Sequence, residues 1–396
     1  MHETKTAKIA ILFQGSVLMP TASASRVKSY TEGLIAGNCS VTAFNMHPVK
    51  KEDNYDFDTG FPGSYDFNIV DKNLGYIKRK YYYLKYLIRK NKELRKFTHV
   101  FFYGESHFIM VYLFLMSRRY KIKLIIEGCE YPIPLIKNKK INKIYNLISV
   151  NILYRIFDAA VVISDNLYDY YKRKGRKNIK LLKVPVMVDP KRFENIKDLN
   201  ISIPEEYIAY CGTMSGDKDG LPVLLRSMKL ISDRFPDIKL LLIGDNSNPK
   251  MLDPLMKLIL DLDLKNKVIF TGIVEKKYIP FFFSKARALV LARPDNFQSR
   301  GGFPTKLGEY LASGRPAIVT KVGEIQEYLT DGVTAYLAEA GSVENFAEKV
   351  IEALENTERS EMIAKKGKEL AMEKFGIKEH GIRLAHFINS DLSYVN

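Results

Sequence analysis

Gly301-Gly302-Phe303-Pro304-Thr305-Lys306-Leu307-Gly308-Glu309-Tyr310-Leu311-Ala312-Ser313-Gly314-Arg315-Pro316, followed at once by Ala317-Ile318-Val319, is the stretch on which the fold turns. It reads as a glycine-loosened loop, a short helix capped by Thr305 and stopped by Gly314, and then a buried strand. A helix that begins just after a Gly/Pro loop offers unpaired backbone N–H groups and the positive end of its dipole to an anion. Glu309 lies one turn in, and helical side chains lean toward the N-terminus, so its carboxylate reaches back over the same mouth. A carboxylate beside a phosphate seat suits a ligand with hydroxyls next to its phosphates, most simply a nucleotide-sugar. The same punctuation serves ordinary α/β proteins, so the surrounding segments decide.

The chain has 396 residues, which suits two domains better than one. At 46% hydrophobic and 27% charged it has the composition of a globular protein. Lys and Arg outnumber Asp and Glu by 61 to 45, a net +16 that favours acidic partners: nucleic acid, anionic lipid or phosphorylated substrates. Cys39, Cys129 and Cys211 form no C-x-x-C pair, so a disulfide framework or structural zinc is not expected. Residues 1–14 do not read as a signal peptide, and the apolar run Phe108 to Met116 is too short to span a bilayer. The expected location is the cytoplasm, with peripheral contact at the inner face of the membrane as a further expectation.

Short β-branched and aromatic runs alternate with longer helical patterns. Strands are predicted at Lys8–Phe13, Val41–Met46, Val100–Tyr103, Leu124–Ile126 and Ala159–Ile163, with helices at about 22–37, 76–97, 107–120 and 136–156. A second block repeats the rhythm with strands at Tyr207–Cys211, Lys239–Ile243, Val268–Thr271, Ala288–Leu291 and Ala317–Val319. Two such blocks predict an α/β protein of two doubly wound, Rossmann-like domains with parallel sheets, facing across a cleft. The junction is placed in Lys183-Val184-Pro185-Val186-Met187-Val188-Asp189-Pro190, giving domains at 1–186 and 187–374 and a final helical segment from 375.

Ligands of doubly wound sheets sit at the C-terminal ends of the strands. In the first block, Gly15 and the polar helix entry at Arg26 qualify; small residues admit a close backbone approach, and a guanidinium takes a phosphate or acceptor oxygen bidentately. In the second block, Cys211-Gly212-Thr213-Met214-Ser215-Gly216-Asp217-Lys218-Asp219-Gly220 is an anion-receiving turn, though not a Walker motif. Gly244 ends the next strand, and Gly272-Ile273-Val274 suits contact with a base. Glu130, with Glu127 as second choice, and His107 follow strands of the first block, where groups that orient an acceptor or move its proton belong.

In this order the residues resemble glycosyltransferase family 4, of the two-domain GT-B architecture, most strongly from about 158 to 340. Asp158-Ala159-Ala160-Val161-Val162-Ile163-Ser164 looks like that family's strand before the interdomain linker, and Pro185-Val186-Met187-Val188-Asp189 with Phe193 is similar to its P-N-G-V-D-x-x-x-F. Gly212 to Gly220 resembles its phosphate loop, Gly302 to Pro316 its donor loop and helix, and Gly323-Glu324-Ile325-Gln326-Glu327 with Asp331-Gly332 its G-G-x-x-E…D-G. The resemblance implies a hexosyltransferase-type enzyme (EC 2.4), retaining and without a metal or other cofactor. Gly302, Phe303, Pro304, Thr305, Lys306 and Glu309 would then serve the donor with Gly15, Arg26, Gly212, Thr213, Lys218, Gly244, Gly272 and Val274. Glu309 would hold the ribose, and Lys218 and Lys306 would meet the diphosphate.

Two departures stand out. The family's E-x7-E pair has Gly301 in its first place, so donor-sugar identity does not carry over, and Thr213 stands where many members have arginine. Asp217-Lys218-Asp219 spells the D-x-D of metal-dependent transferases, but the lysine between the acids opposes a bound cation. By resemblance the first domain receives the acceptor, the last helix returns to it, and closure occurs about a hinge near Pro185.

Residues 76–90 combine an apolar stripe of Ile77, Leu84, Leu87 and Ile88 with basic residues and bordering tyrosines, a pattern shared by helices on anionic membranes and by domain-packing helices with a solvated basic face. With Asn138-Lys139-Lys140 and the basic run ending at Lys174, it points to a lipid-linked acceptor in bacterial surface polysaccharide synthesis. A UDP- or GDP-linked donor and a glycan or lipid-linked acceptor are the expected partners. Nucleic acid is not expected, since no RNP-like, zinc-finger or helix-turn-helix pattern occurs. Alternatives are a GT-B-like nucleotide-sugar epimerase or hydrolase, and a non-catalytic scaffold that binds nucleic acid or membrane.

Overall fold

The computed structural model describes residues 6–19, 21–50, 63–70, 76–132, 152–199, 201–214 and 216–392. The chain forms two compact units, one of residues 1–187 with 377–396 and one of residues 188–376.

In the first unit β1 (Lys8–Phe13), β2 (Ser40–Lys50), β3 (Ser64–Val70), β4 (His99–Tyr103), β5 (Lys123–Gly128), β6 (Ala159–Val162) and β7 (Lys180–Lys183) form one sheet in the order β3-β2-β1-β4-β5-β6-β7. Every pairing is parallel. A parallel sheet is covered on both faces, so its central strands are apolar throughout rather than alternating. Ile9, Ala10, Ile11 and Leu12 of β1 are accordingly all buried, as are Ala159 to Val162 of β6. The helices α1 (Ala22–Ala36), α2 (Tyr76–Leu94), α3 (His107–Tyr120) and α4 (Asp165–Lys174) lie between the strands in chain order.

The C-terminal helix Ile377–His386 packs on α1. Gly33 and Gly381 make that approach possible, since a Cβ on Gly381 would lie 2.1 Å from Gly33 Cα. Leu384, Ala385, Phe387 and Ile388 thereby join Val27 and Leu34 in the core of this unit.

In the second unit β8 (Tyr207–Cys211), β9 (Lys239–Ile243), β10 (Val268–Gly272), β11 (Ala288–Leu291), β12 (Ala317–Thr320) and β13 (Tyr336–Ala338) order as β10-β9-β8-β11-β12-β13, again all parallel. The strand order reverses between β1 and β4 in one sheet and between β8 and β11 in the other. Those switch points open the crevices where such sheets take ligands.

Three edge strands, β3, β7 and β13, and helix α4 are additions to the predicted elements. The helix predicted at 136–156 falls mostly outside the described residues, which include a 3₁₀ turn at Leu153–Ile156. The apolar stripe expected on α2 is corrected. Leu87 is buried, but Ile88 is 56% exposed, and the inward line runs through Tyr83, Tyr86, Leu87 and Leu94. The reason is Asp66 on β3, which accepts from the Tyr86 hydroxyl and pairs with Lys90, so tyrosines can turn inward with their polar tips satisfied.

Candidate functional site

In the second unit, β8, β9 and β10 run at their C-terminal ends into Gly212, Gly244 and Gly272. Gly212 N–H donates to Ile243 O at 2.8 Å and Gly244 N–H to Gly272 O at 3.1 Å, so the three ends form one backbone shelf. Gly244 has φ +146° and a Cβ there would stand 1.9 Å from Gly212 O, so only glycine fits. Val274, two residues past Gly272, is half-buried.

Beside the shelf stands the helix Thr305–Ala312. Thr305 is its first residue and not its cap: Pro304 holds the cap position and no side chain bonds the first turn. The expected Thr305 cap is thus replaced by an uncapped helix start. Gly314, with φ +71°, follows the helix end in the left-handed conformation that stops a helix. Phe303 also differs from expectation. It is buried, with its ring 5.3 Å from that of Tyr328 and 5.7 Å from that of Phe375, so it anchors the loop in the core instead of facing a ligand. Gly302 and Pro304 are buried with it.

Lys306, in the first turn of this helix, reaches toward Gly212. Its Nζ lies 2.5 Å from Asp219 Oδ2 and 3.2 Å from the Tyr210 hydroxyl, and 4.5 Å above the Tyr210 ring. The Tyr210 hydroxyl donates to the same Asp219 oxygen at 2.7 Å. Burial pushes the Asp219 carboxyl upward, but Lys306 and Tyr210 outweigh it and hold the pKa below the ordinary carboxylate range. Burial lowers the Lys306 pKa, and Asp219 offsets only part of that. Thr213 is exposed on the loop after β8, and Lys218 is exposed in the single-turn helix Gly216–Asp219 that also carries Asp219.

Glu309, one turn further, accepts a hydrogen bond from Arg192 Nη1, while Arg192 Nη2 donates to Lys276 O at 3.0 Å. Cys211, at the end of β8, senses the whole cluster. Burial pushes its thiol up to about 12, with Glu309 adding to the shift and Lys306 and Arg192 opposing it. Neither Arg192 nor Asp219 was foreseen as a partner of these groups. The only sequence signal for Arg192 is its place next to Phe193 in the motif-bearing stretch after Asp189.

In the first unit, a cavity of about 290 Å³ opens at the β1–β4 crevice, lined by Gly15, Tyr103, Glu105, Glu127, Cys129 and Glu130 among others. His107, the first residue of α3, is not among the described lining residues, whereas Glu105 is. Arg26 is not offered to a ligand. Its Nε donates to Glu127 Oε1 at 2.6 Å, Nη1 to Pro185 O at 2.9 Å and Nη2 to Val184 O at 2.8 Å, with the side chain 3% exposed. An expected phosphate-binding guanidinium is therefore an internal clamp that ties α1 to β5 and to the segment after β7. Glu127, bound to it, is correspondingly fixed. Burial pushes its pKa up and Arg26 works against that.

Residues 191–370 match the family model for glycosyl transferases group 1. The chain is 27% identical over 228 residues to lipopolysaccharide 1,2-N-acetylglucosaminetransferase of Salmonella typhimurium, covering 56% of this chain and 54% of that protein. The chain thus spans about half the length of the curated relatives it matches. Among solved structures, sucrose-phosphate synthase of Thermosynechococcus elongatus superposes with a TM-score of 0.77 at 15% identity, covering 98% of this chain and 99% of that one. HepE of Anabaena, solved with UDP and glucose, superposes with a TM-score of 0.71 at 15% identity, covering 97% and 100%. The second unit is therefore a glycosyl transferases group 1 domain, and the chain has the two Rossmann-like units of the GT-B glycosyltransferases.

Proposed function

We propose that this protein is a retaining glycosyltransferase that needs no metal ion and moves a sugar from a nucleotide-sugar held by the second unit to an acceptor hydroxyl held by the first. The observation that carries the reading is the cluster of Lys306, Asp219, Arg192 and Glu309 beside the Gly212–Gly244–Gly272 shelf, all inside the segment matched by the family model. The shelf admits a flat base and a diphosphate close to backbone, the helix start at Thr305 and Lys306 meet the phosphates, and Glu309 accepts from ribose hydroxyls. UDP is the first candidate for the nucleotide, because the HepE structure holds it.

In the transfer the acceptor oxygen bonds to the anomeric carbon as the bond from that carbon to the phosphate oxygen breaks, its electron pair leaving with the diphosphate. The acceptor proton passes to a leaving phosphate oxygen on the same face, which gives retention without a strong protein base. Lys306, Lys218 and the first N–H groups of the Thr305 helix offset the charge that develops. Asp219 supports the metal-free reading: half of the D-x-D at 217–219, it is already held by Lys306 and Tyr210.

A lipid-linked glycan of surface polysaccharide synthesis is the proposed acceptor, with peripheral contact to an anionic bilayer through α2. Lys78, Lys85, Arg89 and Lys92 are exposed on that helix together with Tyr81 and Ile88. Among the described residues no helix is long and apolar enough to cross a membrane.

A thermal-shift series of the full chain with UDP, GDP, ADP and CDP, in EDTA and in magnesium, tests the donor site. A rise with UDP that is undiminished by EDTA is expected, since a ligand that binds only the folded state stabilises it. No shift with any nucleotide would overturn the reading.

A further inference from the structure

The apolar run Phe108 to Met116, too short to span a bilayer, forms most of α3 and carries no charged residue. A helix that is apolar all round is ordinarily covered on every side. Here one side is covered and the other is not. Ile109, Met110, Leu113 and Met116 are buried in the first unit, whereas Phe108 is 75%, Val111 47% and Leu115 63% exposed. At about 100° per residue the three exposed side chains fall within about 60° of arc, so they form one line along the outer face of the helix. Apolar side chains exposed singly are normal on a soluble protein, but a Phe, a Val and a Leu in line on one helix mark a contact surface.

The surroundings say what covers that line. Arg118 and Arg119 are exposed where it ends, and α3 contains no acid. The nearest acid before it, Glu105, lines the β1–β4 cavity. α2 lies alongside, with the Tyr112 hydroxyl donating to Leu87 O at 3.2 Å and the Arg95 guanidinium 4.5 Å above the Tyr120 ring. Its outer face continues the mixture: Tyr81 and Ile88 are 63% and 56% exposed, and Lys85 and Lys92 are exposed in the same row. The one acid of α2, Glu93, is paired with Lys90. Apolar side chains bordered by cations and tyrosines suit anionic lipid, whose headgroups meet the cations while the apolar tips reach the acyl chains. A second copy of this chain docked face to face would set these cations against their own kind, which like charge opposes.

We propose that α3 is a membrane-insertion element: Phe108, Val111 and Leu115 enter the edge of the hydrocarbon of an anionic bilayer, while Arg118, Arg119 and the basic residues of α2 stay at headgroup depth. The inference rests on the peripheral contact proposed above and deepens it by placing the apolar anchor on α3 instead of α2. At about 1.5 Å per residue the line is about 10 Å long, enough to lie in the interface and too short to cross it. Phe108 closely follows Glu105, so the inserted end of α3 is also the end nearest the β1–β4 cavity.

The chain contains no tryptophan, so Phe108→Trp and Leu115→Trp each install its only indole. The probes are vesicles of phosphatidylcholine with phosphatidylglycerol in equal parts, set against phosphatidylcholine alone. On the anionic vesicles both indoles are expected to shift their emission to the blue and to be quenched by brominated acyl chains. Binding to the neutral vesicles should be about tenfold weaker. Leu260→Trp, at a 60% exposed position on the helix Pro249–Asp261 of the second unit, should neither shift nor be quenched. Phe108→Ser with Leu115→Ser should stay folded, since both positions are exposed, and should bind the anionic vesicles about tenfold more weakly than the native chain. Vesicle binding with the indoles at 108 and 115 unshifted overturns the proposal and leaves the α2 contact standing. It is also overturned by equal insertion into both vesicles, by no binding to either, or by an indole already blue-shifted without lipid at the mass of a dimer, which would assign the face to a second copy. UDP thermal shifts on the same variants keep the readings apart: a shift that persists without insertion sinks only this inference, whereas its absence in the native chain sinks the transferase reading.

Discussion

Lys306 and Asp219, 87 residues apart in sequence, form a buried ion pair at 2.5 Å, and the Tyr210 hydroxyl closes it at 2.7 Å. The cation nearest the glycine shelf is therefore half neutralised before any ligand arrives. Its carboxylate partner both positions the ammonium and limits its pull on a phosphate.

Breaking the pair from one side leaves a buried charge alone. Lys306→Met is expected to cost about 3 kcal/mol, read from urea unfolding, because Asp219 loses its counter-ion. Lys306→Met combined with Asp219→Leu should recover much of that loss, since no unpaired charge remains. Asp219→Asn keeps the shape and the Tyr210 contact but frees the ammonium, so calorimetry should show UDP binding several-fold tighter and uridine binding unchanged. Tighter uridine binding would assign the effect to something other than phosphate charge.

Glu309 is held in place by Arg192, which is itself anchored on Lys276 O. If the carboxylate takes ribose hydroxyls, Glu309→Gln should weaken UDP about tenfold and leave 2′,3′-dideoxy-UDP almost unaffected, as a charge-assisted hydrogen bond predicts. Arg192→Met should give a smaller loss with the same dependence on the hydroxyls. Equal losses for both nucleotides would remove Glu309 from the ribose.

Two glycines at the shelf should respond differently to alanine. At Gly244 the new Cβ meets Gly212 O, a backbone atom, at φ +146°, and neither can yield. Gly244→Ala is expected to cost about 3 kcal/mol or to prevent folding. At Gly212 the nearest atoms are Lys306 Nζ at 2.3 Å and the Tyr210 hydroxyl at 2.5 Å, side-chain ends of the Lys306–Asp219–Tyr210 cluster rather than backbone, so they can shift at the expense of that cluster. Gly212→Ala should fold, with a smaller loss of stability and a larger loss of UDP affinity. The reverse order of stability would mean that the two strand ends are not packed as described.

The central strands were legible because parallel strands covered on both faces are unbroken apolar runs; β1, β8, β9 and β11 begin and end where the sequence places them. The edge strand β7 is Lys-Leu-Leu-Lys and half exposed, so its composition carries no such signal. Chemistry at strand ends was visible in Gly212, Gly244, Lys306 and Glu309, since glycine, charge and helix start follow one another locally. What remained hidden were pairings between distant segments. Arg26 looks like a free guanidinium until β5 supplies Glu127 from 101 residues away, and Glu309 shows no partner until Arg192 arrives from 117.

Acid should weaken the first unit through His99. This residue on β4 is 5% exposed, and burial lowers its pKa to about 4, with nearby Lys123 contributing and Asp158 and the Leu392 backbone opposing. An unfolded histidine titrates near 6.5. Between these values the unfolded chain binds the proton and the native one does not, so stability rises with pH. The contribution is fully present above about 6.5, is lost as pH falls toward 4, and amounts to about 2 kcal/mol between pH 7 and 5. The Nδ1 atom lies 2.9 Å from Thr98 Oγ1, so His99→Asn retains a polar group for that hydroxyl while removing the titration. Urea unfolding followed by tyrosine fluorescence at the two pH values should show the drop in the native protein and a flatter response in the variant. An equal drop in both would place the acid sensitivity elsewhere.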